Sequence, residues 1–437
     1  MSPVEIGWIA IAALVVLILL GMRIAVAMLT VSFVGVALIR GDTVAIRMMA
    51  QVANDSLEEY LFAVVPLFVL MGLLVTVSGV GRDTFDVFQS LMRRVLAGLG
   101  LATVFANAVF ASITGISIAS ATVFSRIAVP EMRRHGYSRS FATGVVAGSS
   151  VLGMLIPPSL LMIVYAVLAE QSVGRMFLAG IGPGIVLSLV FCVTILAMAR
   201  WRRSLVFEAA PDAARFEVIG FGQIVRKAIP ILVLMTVVLG GLYGGFLNPT
   251  EAGAAGAFGA LVIAMLRRSL NRRSFWNLLV ETGQITVSVL LLILAATFFS
   301  RMLALSGVPR ELAETLLGGG LGPHGFLLIY ILLIVALGCL IDSISIMLII
   351  LPVALPVAEA AGFDLIWFGV ITVIAVEIGL LTPPFGLSVY TIKSAMDDAD
   401  LKVGEIFRGA APFVLAMLVT LAIIVAAPPI ATWLAML

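Results

Sequence analysis

The sequence predicts an all-α polytopic membrane protein built as an inverted-topology repeat, with two re-entrant helical hairpins and two broken transmembrane helices. Three observations lead to this prediction. The composition suits lipid rather than water, matching residues in the two halves are separated by one constant spacing, and each half contains a tandem proline pair inside an apolar segment.

The composition indicates that most of the chain lies in a bilayer. Of its 437 residues, 62% are hydrophobic and 11% are charged, whereas about a quarter of the residues of a soluble domain are charged. Runs such as Ile6–Leu20, Ile24–Ile39 and Met176–Met198 reach or approach the ~20 residues that span hydrocarbon, and we count roughly ten full spans. Cys192 and Cys339 lie in apolar runs and read as structural thiols.

The motifs of common cofactor sites are missing from the sequence. It contains no CxxC, no HExxH and no Cys/His cluster for zinc or haem. The Gly-rich loop 318–325 lacks the GK[ST] ending of a phosphate-binding loop, and no GxGxxG occurs. We therefore expect no organic cofactor, no nucleotide and no nucleic-acid partner, and we expect energy to come from an ion gradient.

The positions of basic residues predict the topology, because cytoplasmic loops are rich in Lys and Arg. A hairpin at residues ~95–131 has basic residues at both ends and should therefore open towards the cytoplasm. A similar segment at residues ~324–360 lies in a region without Lys or Arg between Arg310 and Lys393, so it should open towards the periplasm. The basic clusters are Arg93–Arg94, Arg133–Arg139, Arg200–Arg203, Arg226–Lys227 and Arg267–Arg273.

An internal repeat relates the two regions. Residues 1–203 form the predicted first repeat, 204–227 a cytoplasmic linker with a short interfacial helix, and 228–437 the second repeat, with broken helices at ~141–169 and ~365–393. Inverted repeats of this kind are typical of secondary transporters, and we expect both termini on the periplasmic face. The pairs separated by 226 residues are Ser117 and Ser343, Pro130 and Pro356, Gly136 and Gly362, Gly153 and Gly379, Pro157 and Pro383, and Pro158 and Pro384.

The tandem prolines mark the predicted ligand sites. Pro157-Pro158 and Pro383-Pro384 interrupt their helices because proline lacks a backbone N–H and clashes with the preceding turn. Backbone groups freed within a membrane persist where they line a cavity or bind an ion. Carbonyls and half-helix C-termini suit Na⁺, and half-helix N-termini suit a carboxylate.

The hairpin tips add hydroxyls and small residues to these breaks. Gly and Ser allow close approach of a ligand, although packing between helices explains any single Ser or Thr equally well. The residues concerned are Ser112, Thr114, Gly115, Ser117, Ser120 and Thr122 in the first tip, and Asp342, Ser343 and Ser345 in the second.

Three charged residues in apolar surroundings are further candidates. Asp342 and Glu377 are intramembrane carboxylates that could accept a cation or carry a proton, and Glu377 should lie ~20 Å deep, near the midplane. A structural hydrogen-bonding role for Glu377 is an equal alternative. Arg301 either extends its side chain to the interface or binds a substrate carboxylate. Asp342 and Glu377 lie in different elements without a catalytic His, metal set or nucleophile, which argues against an intramembrane enzyme.

Ten parts of the sequence, spread over essentially the whole chain, together form a family pattern: Pro66–Gly72, Ser112–Ser120, Val129–Met132, Gly136–Tyr137, Gly153–Ser159, Phe177–Gly184, Pro249–Gly253, Asp342, Leu351–Pro356 and Gly379–Gly386. With this pattern the sequence resembles the large membrane subunit of tripartite ATP-independent periplasmic (TRAP) transporters, the DctM-like permease family. It departs from the family at the first tip, which reads Thr-Gly-Ile-Ser-Ile-Ala-Ser from Thr114 where relatives often have Ser-Gly-Ser-Ser-Val-Ala, and at Ser343, where Pro is frequent.

The resemblance implies an elevator-type, Na⁺-coupled importer in the inner membrane of a bacterium. It implies two protein partners, a small four-helix membrane subunit and a periplasmic substrate-binding protein. Because the chain starts at the first helix of the large subunit, we expect the small subunit to be a separate chain. The expected substrate is an organic acid such as a C4-dicarboxylate, a sugar acid or sialic acid. The alternative is a stand-alone ion-coupled anion symporter or exchanger of the same architecture.

The resemblance also places the sodium sites at the tips and breaks. The substrate-binding candidates are Ser120, Thr122, Ser150, Glu377 and Arg301. The sodium-binding candidates are Ser112, Thr114, Gly115, Ser117, Gly148, Ser149, Gly153 and Pro157 in the first half, and Gly338, Asp342, Ser343, Ser345, Gly379, Thr382 and Pro384 in the second.

Overall fold

A computed structural model describes residues 1–208, 220–396 and 398–436, apart from the side chain of Leu61. The described chain is helical almost throughout. The helices of the first half are α1 (Pro3–Leu19), α2 (Ile24–Arg40), α3 (Asp42–Glu58), α4 (Val64–Val77), α5 (Val80–Met92), α6 (Gly98–Thr114), α7 (Ser117–Arg134), α8 (Arg139–Ser150), α9 (Leu152–Leu155), α10 (Leu160–Leu168) and α11 (Val173–Trp201).

The second half has a similar order after the linker, but one helix of 35 residues (Arg272–Ser306) corresponds to α3 and α4 of the first half. A turn of π-helix at Thr236–Gly240 makes α13 and α14 one apolar segment. The linker begins with α12 (Arg203–Val206). The helices that follow it are α13 (Phe221–Met235), α14 (Gly241–Tyr243), α15 (Pro249–Leu266), α16 (Arg272–Ser306), α17 (Val308–Gly318), α18 (Gly322–Gly338), α19 (Ser343–Ala360), α20 (Leu365–Leu381), α21 (Leu387–Ala395), α22 (Val403–Ala426) and α23 (Pro429–Thr432).

Both predicted hairpins and both broken helices are present. Helices α6 and α7 form the first hairpin and α18 and α19 the second. Segments α8–α9 and α10 are bent by 41° at the first proline pair, and α20 and α21 are separated by the second. The membrane faces to which the hairpins open remain predictions.

Matching caps start the two broken helices. The Ser138 hydroxyl accepts a hydrogen bond from the Phe141 amide at the start of α8, and the Asp364 carboxylate accepts one from the Trp367 amide at the start of α20. Such side chains satisfy backbone donors that the first helical turn leaves unpaired. Ser138 and Asp364 are also separated by 226 residues, so the repeat extends to the caps.

Two corresponding helix pairs lie outside the hairpins and broken helices. Helix α4 packs against α15, and α16, which corresponds to α4 in the second half, packs against α2. The second hairpin and the segments α9, α10 and α21 pack against α20, which is buried at every residue from Ile366 to Leu381. By contrast, Trp276 and Val287 on α16 are exposed, as expected for helices that contact lipid.

The described residues include several membrane-crossing helices. Six are long and apolar enough to span a bilayer, and nine segments qualify if each bent pair counts as one span. The linker begins at α12, where the Ser138 amide donates to the Val206 carbonyl at 2.8 Å. The predicted interfacial helix around Pro211–Arg215 lies outside the described residues.

Candidate functional site

The first break is closed by its own serine. The Pro157-Pro158 bond is cis and separates α9 from α10. The Ser159 hydroxyl donates to the Met154 carbonyl at 2.6 Å and accepts from the Met162 amide at 3.3 Å. One side chain therefore satisfies a carbonyl before the break and caps the helix after it.

The tip of the first hairpin makes backbone contact with this break. The Leu160 amide donates to the Gly115 carbonyl at 3.2 Å. Gly115 has a φ of +64°, and a Cβ there would lie 2.4 Å from the Pro158 carbonyl oxygen. A Cβ on Gly153 would lie 3.2 Å from the Ser117 amide nitrogen. A side chain is therefore excluded at Gly115 and would be crowded at Gly153. The role of the tip and the break as one site remains a prediction.

A buried polar cluster fastens the first hairpin to α8. The Asn107 amide donates to the Ser149 hydroxyl and accepts from the Ser120 hydroxyl through its oxygen. All three residues are fully buried. Ser149 in turn donates to the Val145 carbonyl at 2.7 Å. Ser120 and Ser149 were predicted site residues, whereas Asn107 was missed because it lies two turns before the Gly/Ser-rich tip.

The second tip and break meet through two glycines. A Cβ on Gly379 would lie 2.5 Å from the Cα of Gly338. Asp342 caps α19 by accepting from the Ser345 amide at 3.1 Å. Thr382 donates to the Ile378 carbonyl at 2.7 Å, at the end of α20. The predicted residues of the second site therefore surround the tip of one hairpin and the end of one half-helix.

The two breaks differ in exposure. Pro157 and Pro158 are buried beneath the first hairpin, whereas Pro383 and Pro384 are exposed. Both prolyl pairs are cis. The two corresponding breaks therefore differ in their surroundings.

Ser388 is a second residue that the sequence analysis missed. It lies in the first turn of α21, four residues beyond Pro384. Its hydroxyl is buried and has no hydrogen-bond partner among the described residues. A single Ser in an apolar stretch gave no signal that could have identified it.

Glu377 lies where the two hairpins come together. Its side chain is fully buried, and neither carboxylate oxygen has a hydrogen-bond partner in the described part of the chain. The polar groups that face it are the hydroxyls of Ser117 and Ser343, although neither makes a hydrogen bond of standard geometry with it. These serines are the first residues of α7 and α19 and are partners in the repeat.

Several predicted hydroxyls bond within their own helices. Gly148, another predicted residue, allows α8 to pack closely against α22, because a Cβ at this position would lie 2.6 Å from the Phe413 side chain. The roles of these residues in binding remain predictions. The hydroxyl donors and their carbonyl acceptors are Ser112 to Val109, Thr114 to Phe110, Thr122 to Ile118 and Ser150 to Ala147.

Arg301 lies in a different cleft. Its guanidinium forms an ion pair with Asp55 at 2.9 Å, near the end of α3. It lines a cleft together with Glu170, which follows α10, and Pro352 of α19. The ion pair satisfies the Arg301 charge locally, and a role in substrate binding remains a prediction.

Sodium binding at the tips and breaks remains a prediction. Among residues 1–208, 220–396 and 398–436, no three His, Cys, Asp or Glu side chains are grouped as a metal ion would require. Carbonyls and hydroxyls are the groups available instead. Half-helix C-termini with unwound backbone carbonyls are the way membrane transporters hold Na⁺.

Paired hairpins and broken helices around one buried helix define a polytopic membrane transporter. The sequence matches the family described as "Tripartite ATP-independent periplasmic transporter, DctM component" over residues 11–430. The chain belongs to this family of large permease subunits, which confirms the predicted resemblance. It is a transporter subunit rather than an enzyme.

Three relatives show the range of named substrates. A C4-dicarboxylate TRAP transporter large permease protein of Pseudomonas aeruginosa is 33% identical over 90% of this chain and 91% of its own. The sialic acid large permease protein of Vibrio cholerae is 30% identical and covers 91% of each chain. The ectoine large permease protein of Halomonas elongata is 27% identical and covers 98% of each.

A solved structure supports the fold. The YdaH transporter of Alcanivorax borkumensis, described as having an unusual topology, aligns with a TM-score of 0.54 and covers 85% of this chain and 86% of its own. The sequence identity is 14%, so the likeness concerns the fold alone.

Proposed function

We propose that this TRAP large permease imports an organic acid with Na⁺ as the coupling ion. The observation that carries the proposal is the closure of the Gly115 tip on the tandem-proline break. It places Ser117, whose buried hydroxyl has no hydrogen-bond partner among the described residues, beside Gly153 of the break. Within a membrane an unpaired polar group of this kind favours a bound ligand. Family membership supports the transport role, and the unpaired Ser117 hydroxyl at the tip supports the proposal of a bound Na⁺.

The substrate is proposed to carry a carboxylate. Helix α7 begins at the first tip without a side-chain cap, since its N-cap is Ile116. Uncapped N–H groups and the positive end of the helix dipole favour an anion. The relatives named for C4-dicarboxylate and sialic acid fit this chemistry. The ligand of the cognate binding protein should identify the acid.

The moving unit is proposed to comprise the hairpins and the broken helices. Helices α9, α10, α18, α19 and α21 pack against α20, and α6 and α7 pack against each other and against α8, whereas α2 pairs with α16 and α4 pairs with α15. An elevator motion would slide the first group past the second. The inner membrane of a bacterium is the proposed location, with both termini on the periplasmic face.

Two protein partners complete the proposed transporter. One is a small four-helix membrane subunit, and the other is a periplasmic binding protein that delivers the organic acid. Exposed apolar side chains on α1 and α2, such as Ile9 and Leu38, are available for lipid or for the small subunit.

The sodium proposal is tested with the purified chain in lipid nanodiscs. A ligand that binds only the folded state stabilises it by about 2.7 kcal/mol at a hundred times its Kd. We expect Na⁺ to raise the unfolding temperature above that in equal K⁺, and Thr382→Val to reduce the difference. Thr194→Val, which removes a similar intrahelical bond in α11, is the matched control. Equal unfolding temperatures in Na⁺ and K⁺ would contradict sodium binding.

A further inference from the structure

A polar cleft lies between α5 and α7, the second helix of the first hairpin. It has a volume of about 800 Å³ and also borders the first two turns of α13. Counting Lys, Arg, Asp and Glu, its walls have an excess of two positive charges, because four of these side chains are cationic and two are acidic. The cationic side chains are Arg82, Arg126, Arg134 and Lys227, and the acidic ones are Asp86 and Glu131.

Ion pairs within the cleft neutralise only part of this charge. The Lys227 ammonium contacts the Asp86 carboxylate, and the Arg134 guanidinium lies 3.7 Å from the Glu131 carboxylate. Both acidic side chains of the walls are therefore already paired with a cation. The excess positive charge belongs to the two remaining arginines.

These two arginines, Arg82 and Arg126, reach the cleft from different walls. Arg82 lies in the first turn of α5 and Arg126 in the middle of α7. Neither guanidinium forms an ion pair with an acidic group in the described part of the chain. The Arg126 Nε donates to the Ala395 carbonyl at 3.2 Å, which orients the guanidinium but leaves its charge without a counter-ion. Both side chains are exposed, so a ligand in the cleft can reach them.

The second half of the chain provides an internal comparison. A cleft of about 490 Å³ lies between α17 and α19, which correspond to α5 and α7. Arg310 corresponds to Arg82 at the spacing of 228 residues that relates α17 to α5, and it forms an ion pair with Glu314 at 2.9 Å. Arg126 corresponds to Pro352 at the spacing of 226. The fold forms a cleft in both halves, whereas, among the described residues, unpaired arginines line the first cleft alone.

The chemistry of the first cleft suits a phosphate group. A guanidinium presents paired N–H donors that match the oxygens of a phosphate, and here two unpaired guanidinium groups come from two walls. Basic residues are also expected on the cytoplasmic side of a membrane protein. That rule explains the number of arginines on this side but not the placement of two unpaired ones in one cleft.

Neighbouring side chains favour a phospholipid as the source of the phosphate. The cleft extends along α5 to Gln89. Just beyond it, Leu91, Val95 and Leu96 are exposed on both sides of Arg93–Arg94. Arginines beside exposed apolar side chains are typical of segments at the membrane interface. Acyl chains would cover these apolar side chains, whereas a soluble anion would not.

We propose that the cleft between α5 and α7 binds the phosphate of an anionic phospholipid, which Arg82 holds from one wall and Arg126 from the other. The bound lipid joins α5 to the first hairpin. This site is separate from the hairpin tips and the helix breaks, and it depends neither on Na⁺ nor on the organic acid. It therefore goes beyond the proposed function.

Native mass spectrometry of the purified chain with added phospholipid tests the site. We expect phosphatidylglycerol to bind more tightly than phosphatidylcholine. Arg82→Gln combined with Arg126→Gln should weaken phosphatidylglycerol binding by roughly tenfold or more. The matched control is Arg272→Gln combined with Arg273→Gln, which removes the same charge from exposed positions at the start of α16 and should leave binding unchanged.

Three results would overturn the site. Phosphatidylglycerol binding could survive the loss of both cleft arginines, or it could fall equally in the control, in which case overall charge rather than the cleft attracts the lipid. Equal affinity for phosphatidylglycerol and phosphatidylcholine would be the third, because it would show that the negative charge of the lipid is not recognised.

Inorganic phosphate as a competitor identifies the source of the phosphate group. It should displace phosphatidylglycerol only at a far higher concentration, because it gains nothing from contact with the apolar side chains. Displacement at a concentration similar to that of the lipid would overturn the phospholipid as the occupant. None of these measurements uses transport, so a failure of Na⁺-driven uptake would count against the proposed function and leave the lipid result unchanged.

Discussion

The backbones of Gly338 and Gly379 are in contact, since a Cβ on Gly379 would lie 2.5 Å from the Cα of Gly338. This contact joins the second hairpin to the end of the half-helix α20. Both residues were predicted from the Gly/Pro pattern, but their contact was not. It explains why glycine is needed at both positions without assigning either to the ion.

Gly379→Ala should therefore destabilise the protein. Overpacking costs about 1–3 kcal/mol, which exceeds the ~1 kcal/mol that alanine gains over glycine within a helix. Thermal unfolding in nanodiscs measures the effect. Gly283→Ala in α16 is the control, because a Cβ there meets nothing within 4 Å, and it should not lower stability. Equal behaviour of the two variants would refute the contact.

Gly115→Ala should weaken the closure of the first tip. Alanine at a positive φ costs about 1–2 kcal/mol, and its Cβ would in addition press on the Pro158 carbonyl. Gly79→Ala measures the cost of the positive φ alone, because Gly79 has a φ of +76° and open space around its Cβ position. We expect Gly115→Ala to be the more destabilising of the two and to reduce stabilisation by Na⁺, whereas Gly79→Ala should retain it.

Asn107→Ala should loosen the first hairpin from α8. It removes the acceptor of the buried Ser120 hydroxyl, whereas Ser149 keeps its bond to the Val145 carbonyl. Leaving a buried polar group unpaired costs about 1–3 kcal/mol. Ser188→Ala removes only an intrahelical bond to the Gly184 carbonyl and should cost less. Hydrogen exchange at the α6–α7 amides provides the readout. Unchanged protection in Asn107→Ala would show that the cluster does not hold the hairpin.

The ion pair between Glu208 and Arg133 joins the start of the linker to the end of α7. We expect its contribution to the stability of the folded state to depend on pH. A hydrogen bond from Arg133 lowers the pKa of Glu208 below its usual value. The ion pair therefore stabilises the folded state fully at a pH above the ordinary glutamate pKa. This stabilisation is lost as the pH falls through the lowered pKa of Glu208. Because the pair is largely exposed, Glu208→Gln should cost only about 0.2–1 kcal/mol at pH 7. Unfolding temperatures of the two proteins should converge in acid; a constant difference would be inconsistent with the ion pair.

The repeat allowed much of the fold to be predicted from the sequence. The 226-residue spacing identified Pro157-Pro158 and Pro383-Pro384 as corresponding breaks, and each hairpin lies within a few residues of its expected position. Residue type and spacing suffice for such local features. The family resemblance supplied the transport role and the partners.

Long-range contacts could not be predicted in the same way. Burial of one proline pair and exposure of the other depend on which hairpin covers each break, which composition does not encode. Asn107 was not predicted as a site residue because its hydrogen-bond partners lie on two other helices, α7 and α8. The placement of Glu377 between Ser117 and Ser343 likewise requires two distant hairpins to converge on one helix.

Uptake into proteoliposomes tests the central claim most directly. The vesicles would contain this chain with its small membrane subunit, and the binding protein would be added with its radiolabelled organic acid. We predict accumulation only with all three proteins and an inward Na⁺ gradient. Equal uptake by this chain alone, or equal uptake driven by K⁺, would contradict a Na⁺-coupled tripartite importer.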